Sequence, residues 1–313
     1  MCLLPVSGNL HRAVQARVQA GELLAIRPNL YARPAYWQTL TWLERILHIL
    51  RAIARRHPHW VFSHISAAAI WGLNDTYLMH EHVHLAVAAN AGTRNRGYLE
   101  FHCIGDPQTI ERSGMLVTGL MRTIFDCARS LPFPQALAIC DAALRQYHFD
   151  AGALVVFAKE RGGTHGVERA TCIMSLADGR SENGGESTVR ALLFLWGYAT
   201  PELQQWFRSP VDDRTYRVDF LWRLPDGRLI VLELDGREKY TNPAMLNGGD
   251  ATDAMLAEKQ RENDLMLRGN IGMIRTTYQE ATQQPDALRR KLDIAGVPKS
   301  KPLKVPRSPY IAD

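Results

Sequence analysis

The sequence predicts an α/β protein, and two observations carry that expectation. Runs with helical apolar spacing alternate with short strand-like runs along the chain, and the stretch 216–236 holds two apolar strands joined by a tight turn. With 313 residues, 46% of them apolar, the chain is long enough for two or three folding units with cores of their own.

Taken in order, residues 10–20 read as a short helix ended by Gly21, and residues 23–31 follow as a strand-like run interrupted by Pro28 and Asn29. Helix, turn and hairpin are the outline of a winged helix. One helix precedes that hairpin where a full winged helix-turn-helix has two or three, so the expectation for residues 1–36 is an incomplete module, truncated or degenerate. Leu40, Leu43, Ile46, Leu47, Leu50 and Ile53 recur at helical spacing and predict one core helix over residues 37–56. A helix at 66–73, strands at 83–87 and 99–102, and helices at 122–129 and 134–147 continue an α/β middle region, 37–176. Asp150 can cap a helix over 151–160 before the Gly162-Gly163 break. The polar stretch 177–185 marks a boundary. Residues 177–296 then read helix, hairpin, helix (252–268) and strand, and residues 297–313 form a Lys- and Pro-rich tail expected to be disordered.

A formal net charge of +5 and an isoelectric point near 9.0 favour polyanionic partners without identifying one. Five cysteines (Cys2, Cys103, Cys127, Cys140 and Cys172) without paired spacing argue against a disulfide framework and a zinc ribbon. No apolar run approaches the ~20 residues that cross a bilayer, and the first ten residues lack the order of a signal peptide. The expectation is a soluble cytoplasmic protein with no membrane partner. Oligomeric state leaves no mark in the sequence.

The most informative segment is the hairpin. Pro225 and Asp226 suit the centre of a type I turn and Gly227 the left-handed position after it, so Leu224 stands opposite Arg228. Counting back five positions places Asp219 opposite Glu233, and strand alternation puts Asp235 on the face of Glu233. Three carboxylates on one face repel, and a bound divalent cation is the simplest compensation. The alternative is an amphipathic hairpin whose polar face meets solvent. Against it, Glu233 and Asp235 interrupt an apolar run of central-strand character, where unpaired charge is expensive. Lys239 follows four residues after Asp235. The other faces, Val218, Phe220, Trp222, Ile230, Leu232 and Leu234, are the expected core.

These residues resemble the very-short-patch-repair-like branch of the PD-(D/E)XK nucleases. The matching elements are Glu186-Ser187-Thr188-Val189-Arg190 opening a helix, Arg217-Val218-Asp219-Phe220, Val231-Leu232-Glu233-Leu234-Asp235-Gly236, Glu258-Lys259-Gln260-Arg261, and Arg275. The resemblance implies a restriction-endonuclease-like mixed sheet flanked by helices. It also implies a Mg²⁺ (or Mn²⁺) centre held by Asp219, Glu233 and Asp235, supported by Glu186 and hydrolysing DNA phosphodiesters in repair or defence. The family's third motif is Glu-x-Lys, whereas here Glu233-Leu234-Asp235 stands in its place; Lys239 is the candidate for the displaced cation. This departure leaves open a non-catalytic regulator that uses the fold only for binding. Glu186 also fits a capping box with Asn183, or a salt bridge with Arg190. Lys259 and Arg261 suit phosphate contacts or, equally, a solvated helix face.

Residues 8–147 resemble, more loosely, the winged-helix and following region of AbiE-type antitoxin-like regulators, through Gly21-Glu22-Leu23, Ser66-Ala67-Ala68-Ala69 and Arg122-Thr123-Ile124-Phe125-Asp126. That resemblance implies DNA binding, with Arg12, Arg17 and Arg27 as phosphate contacts, and a cognate toxin as partner. His80, His82 and His84 alternate along one strand and could ligate zinc, or simply meet solvent; no fourth ligand lies at a telling spacing. Arg122 and Asp126, four apart, read as an intrahelical ion pair.

Overall fold

The chain divides into two units, one of Met1–Ala177 with Arg307–Asp313 and one of Asp178–Pro306. The computed structural model describes residues 2–3, 9–73, 80–88, 94–209, 211, 214–235, 267 and 269–308. Both units are α/β.

In the first unit, β1 (Cys2–Leu3), α1 (Asn9–Gln19), β2 (Leu24–Arg27) and β3 (Leu30–Ala32) form an antiparallel sheet of order β1-β3-β2 beside one helix. Asn29 turns the hairpin at φ 64°, a left-handed conformation asparagine tolerates. The single helix expected over residues 37–56 is instead two: α2 (Pro34–Thr39) and α3 (Trp42–Arg56). Thr41 is the reason. Its hydroxyl accepts from the Glu44 amide at 3.3 Å while the Glu44 carboxylate accepts from the Thr41 amide at 2.7 Å, a capping box that starts a new helix.

A five-stranded mixed sheet follows, of order β6-β5-β4-β8-β7, built from β4 (Val61–Phe62), β5 (Val83–Val87), β6 (Leu99–Cys103), β7 (Ile110–Arg112) and β8 (Met115–Val117). Between β4 and β5 runs α4 (His64–Trp71); α5 (Leu120–Ser130), α6 (Phe133–Tyr147), α7 (Ala151–Lys159) and α8 (Val167–Ser175) follow the sheet. Strands β4, β7 and β8, two or three residues long, and helix α8 were not expected from the sequence. On α5 the expected pair exists, Arg122 Nε to Asp126 Oδ2 at 2.7 Å, and Arg129 Nε reaches Asp126 Oδ1 at 2.9 Å.

The second unit opens with α9 (Gly184–Trp196), then β9 (Glu202–Arg208), β10 (Thr215–Arg223), β11 (Leu229–Asp235), β12 (Ile271–Thr277), α10 (Tyr278–Gln283) and α11 (Pro285–Ala295). Its sheet is mixed, of order β12-β11-β10-β9, parallel only between β11 and β12. The hairpin register is the one its turn dictates. Leu224 N–H donates to Arg228 O at 2.8 Å, Gly227 takes φ 85°, and Phe220 pairs with Leu232. Leu203, Phe220, Trp222, Ile230, Leu232 and Ile274 pack against Val189 and Leu193 of α9 and Leu288 and Leu292 of α11; Phe207, Leu221, Val231 and Ile271 form a second cluster.

Val218 is buried, but it packs in the cluster of Leu221 and Val231 and not with Phe220 as expected. Strand alternation slips at Gln204, whose φ of 54° is left-handed: β9 and β10 pair at Val218 with Gln205 and again at Phe220 with Leu203, leaving Gln204 and Asp219 between. Residues 297–308 of the basic tail are ordered where the tail was expected to be disordered; residues 309–313 lie outside the described residues. Ala199 N–H donates to Pro298 O at 2.8 Å, Ser300 N–H to Gly197 O at 2.8 Å and Leu303 N–H to Phe194 O at 2.9 Å, so the tail answers carbonyls that the end of α9 leaves over. No helix of the described residues is long and apolar enough to cross a membrane.

Candidate functional site

The interruption between β9 and β10 is where the polar groups of the second unit meet. Gln204 Nε2 donates to Glu186 Oε2 at 2.9 Å and to Asp219 Oδ1 at 3.3 Å, so one amide bridges two carboxylates from two elements. The Leu234 amide donates to Asp219 Oδ2 at 2.8 Å, tying Asp219 to β11 beside Glu233. Gln204 escaped the sequence reading because a lone glutamine in a strand carries no signal.

Glu186 is both a cap and a member of this centre. Asn183 Oδ1 accepts from the Glu186 amide at 3.0 Å, as a capping box requires. The return contact differs from the expected one. Glu186 Oε1 accepts from Asn183 Nδ2 at 2.7 Å, and Oε2 accepts from the Glu182 amide at 2.8 Å. Burial, with the Asp219 carboxylate next in size, pushes the Glu186 carboxyl up to about 7, despite the donors that favour its charge.

Glu233 is 7% exposed and sits on the central strand β11, in register with Arg275 of β12. Asp235 lies two positions on, half-buried, with Arg275 Nη2 at 3.9 Å from its Oδ1. Among the described residues, His64, His84 and His102 each bring a potential ligand atom to within 4.8 Å of the others, and Asp219, Glu233 and Asp235 form no such group. Lys239, Lys259 and Arg261 lie outside the described residues, as does the helix expected over 252–268. At the same end of the sheet Arg217 pairs with Glu182 and lies over Trp206, its register partner on β9, at 5.4 Å; Trp206 is 65% exposed.

In the first unit, the three candidate arginines are engaged locally. Arg12 donates to Asn9 Oδ1 at 2.8 Å, Arg17 to Glu22 Oε2 at 2.8 Å, and Arg27 to the carbonyls of His80 and Glu81 at 2.9 and 3.2 Å. The alternating histidines do not act as a trio. His82 approaches Glu100 at 3.3 Å, whereas His84 turns to His102 of β6 and His64 of α4, partners far away in sequence. Burial and the neighbouring His102 drive the His84 imidazole down to about 3, and burial takes His102 to about 4.

No protein-family model matches the chain. Two uncharacterized proteins of Mycobacterium tuberculosis, from strains CDC 1551 / Oshkosh and ATCC 25618 / H37Rv, are each 36% identical to it over 132 residues, 42% of this chain and 47% of the relative. The chain thus spans about half the length of the curated relatives it matches.

Proposed function

We propose that the second unit is a divalent-metal-dependent nuclease centre acting on DNA, in the manner of the PD-(D/E)XK enzymes its motifs resemble. The observation that carries this reading is the Gln204 amide shared by Glu186 and Asp219, which holds a half-buried carboxylate against a buried one, where their repulsion is expensive. A protein that needed only a solvated face would not bury Glu186 beside a second carboxylate.

The donor types suit a hard cation, and their oxygens would have to draw closer than they stand to hold one together. Glu186, Asp219 and Glu233 offer carboxylate oxygens, the ligands Mg²⁺ and Mn²⁺ prefer, and Asp235 adds a fourth beside Arg275. When bound, such a cation lowers the pKa of water and offsets charge on a phosphodiester. The chain's own residues do the positioning. The Leu234 amide and Gln204 fix the Asp219 carboxylate, and Asn183, Glu182 and Gln204 fix that of Glu186. Arg275, in register with Glu233, supplies positive charge where the family carries the lysine of Glu-x-Lys. Trp206 with Arg217 over its ring offers a stacking face and a cation to a nucleic-acid strand arriving at the acids.

Arg12, Arg17 and Arg27 of the first unit would add phosphate contacts by exchanging their local partners for DNA, and a cognate toxin would be a partner of that unit. Cys103, Cys127 and Cys172 are free thiols, which suits the cytoplasm. The test is full-length protein on supercoiled and single-stranded DNA with Mg²⁺ or Mn²⁺, beside Asp219→Ala. Cleavage lost in the variant supports the enzyme. If neither protein cuts any DNA form and both shift a DNA fragment equally, the unit is a non-catalytic binding module.

A further inference from the structure

A second cluster of ligating side chains lies in the first unit, apart from the carboxylates. His64, His84 and His102 bring a ring nitrogen each to within 4.8 Å of the others. Parallel pairing of β5 and β6 puts His84 in register with Glu100, and Ala86 with His102. His84 Nδ1 is 2.8 Å from His102 Nε2, and Glu100 Oε2 is 3.4 Å from the first and 3.9 Å from the second. A tetrahedral zinc ion with bonds of about 2.0–2.1 Å keeps its ligand atoms about 3.3 Å apart, so these spacings bracket what the ion needs.

His64 supplies the remaining corner. Its Nδ1 lies 3.1 Å from Ser63 Oγ, while its buried Nε2 has no hydrogen-bond partner. A hydroxyl accepting from Nδ1–H fixes the tautomer that leaves the Nε2 lone pair free to ligate. An apolar contact would not need that nitrogen. The backbone at His64 is left-handed, φ 49°, a strained conformation kept where the surroundings demand a particular side-chain position. The nearby guanidinium groups of Arg122 and Arg129 are matched by Asp126, and Glu100 brings the negative charge that a dication asks for.

We propose that His64 Nε2, His84 Nδ1, His102 Nε2 and Glu100 Oε2 form a zinc site that fastens α4 to β5 and β6. Three imidazoles and one carboxylate are a borderline donor set of the kind zinc takes, and four protein ligands make a closed, structural site. Binding turns the His64 ring out of its stack on His102, where the centroids lie 3.7 Å apart with 29° between the planes. This site is independent of the nuclease reading of the other unit.

The test uses full-length protein stripped by a chelator and titrated with Co²⁺, then Zn²⁺. One equivalent of Co²⁺ is expected to give the intense visible absorption of tetrahedral cobalt, abolished by one equivalent of Zn²⁺. Glu100→Gln, which removes a direct ligand, is expected to weaken cobalt binding by more than the roughly 10- to 100-fold that loss of an outer-shell partner costs, and His84→Ala to remove the band. Asp219→Asn keeps it, because an all-oxygen site gives only the faint six-coordinate spectrum. Circular dichroism of each variant separates lost ligation from lost folding, and if His84→Ala does not fold, Glu100→Gln decides. Absence of a tetrahedral band in the parent protein overturns the site, as does undiminished affinity in Glu100→Gln.

Discussion

Replacing Glu186 by glutamine tests the acidic centre without any assumption about substrate. The Glu186 carboxyl is held up at about 7 against an ordinary 4.5, first by burial and then by Asp219. Between those two values the folded state keeps a proton that the unfolded chain releases. Stability of the second unit is therefore highest below 4.5 and falls as pH rises through 7, by about 3 kcal/mol in all and by at most ~1.4 kcal/mol per pH unit. Glu186→Gln cannot ionise, so its difference from the parent protein should change by that amount between pH 4.5 and 8. The variant also gives up one hydrogen bond from Asn183, a constant loss of about 1 kcal/mol. Hence the slope is decisive, and not the offset. Because two units need not unfold together, the measurement is hydrogen exchange of β10 and β11 amides in metal-free full-length protein at graded urea. A pH-independent difference between the two proteins would refute the claim that Glu186 is buried against a second charge.

Other perturbations have separate readouts. Gln204→Ala removes the amide shared by Glu186 and Asp219 and should destabilise the second unit by about 1–3 kcal/mol at pH 8, less at pH 5, in the same exchange assay. Trp206→Ala should leave stability within about 0.5 kcal/mol yet weaken single-stranded DNA binding by about 1–3 kcal/mol in fluorescence anisotropy; unchanged affinity would remove Trp206 from the proposed surface. Asp126→Ala strands two arginines in the first unit and should cost about 3–5 kcal/mol there by urea denaturation.

Local rules were the legible ones. The hairpin register, Phe220 against Leu232 through Arg223 against Leu229, followed from Pro225, Asp226 and Gly227 alone, because a tight turn leaves little freedom to slip. The Asn183 cap was equally local. What stayed hidden depends on distant partners or on rare backbone. Gln204 reaches the acids only because its own φ is left-handed, and nothing in a strand sequence announces that. The sequence drew attention to His84 but grouped it with His80 and His82; its partners His64 and His102 arrive through the meeting of α4 with two strands. Thr41 ended one helix and started the next, a cap that apolar spacing alone overrode.

The ordered tail makes the second unit hostage to its own last residues. Ser300 and Leu303 are laced to Gly197 and Phe194 at one end of α9, and Glu186 stands in the first turn at the other. A protease that clipped the chain near Pro298 would cut far from the carboxylates in sequence, yet it would release the helix that presents one of them. Shortened expression forms ending there are thus poor substitutes for the intact chain, however dispensable so basic a stretch looks on paper.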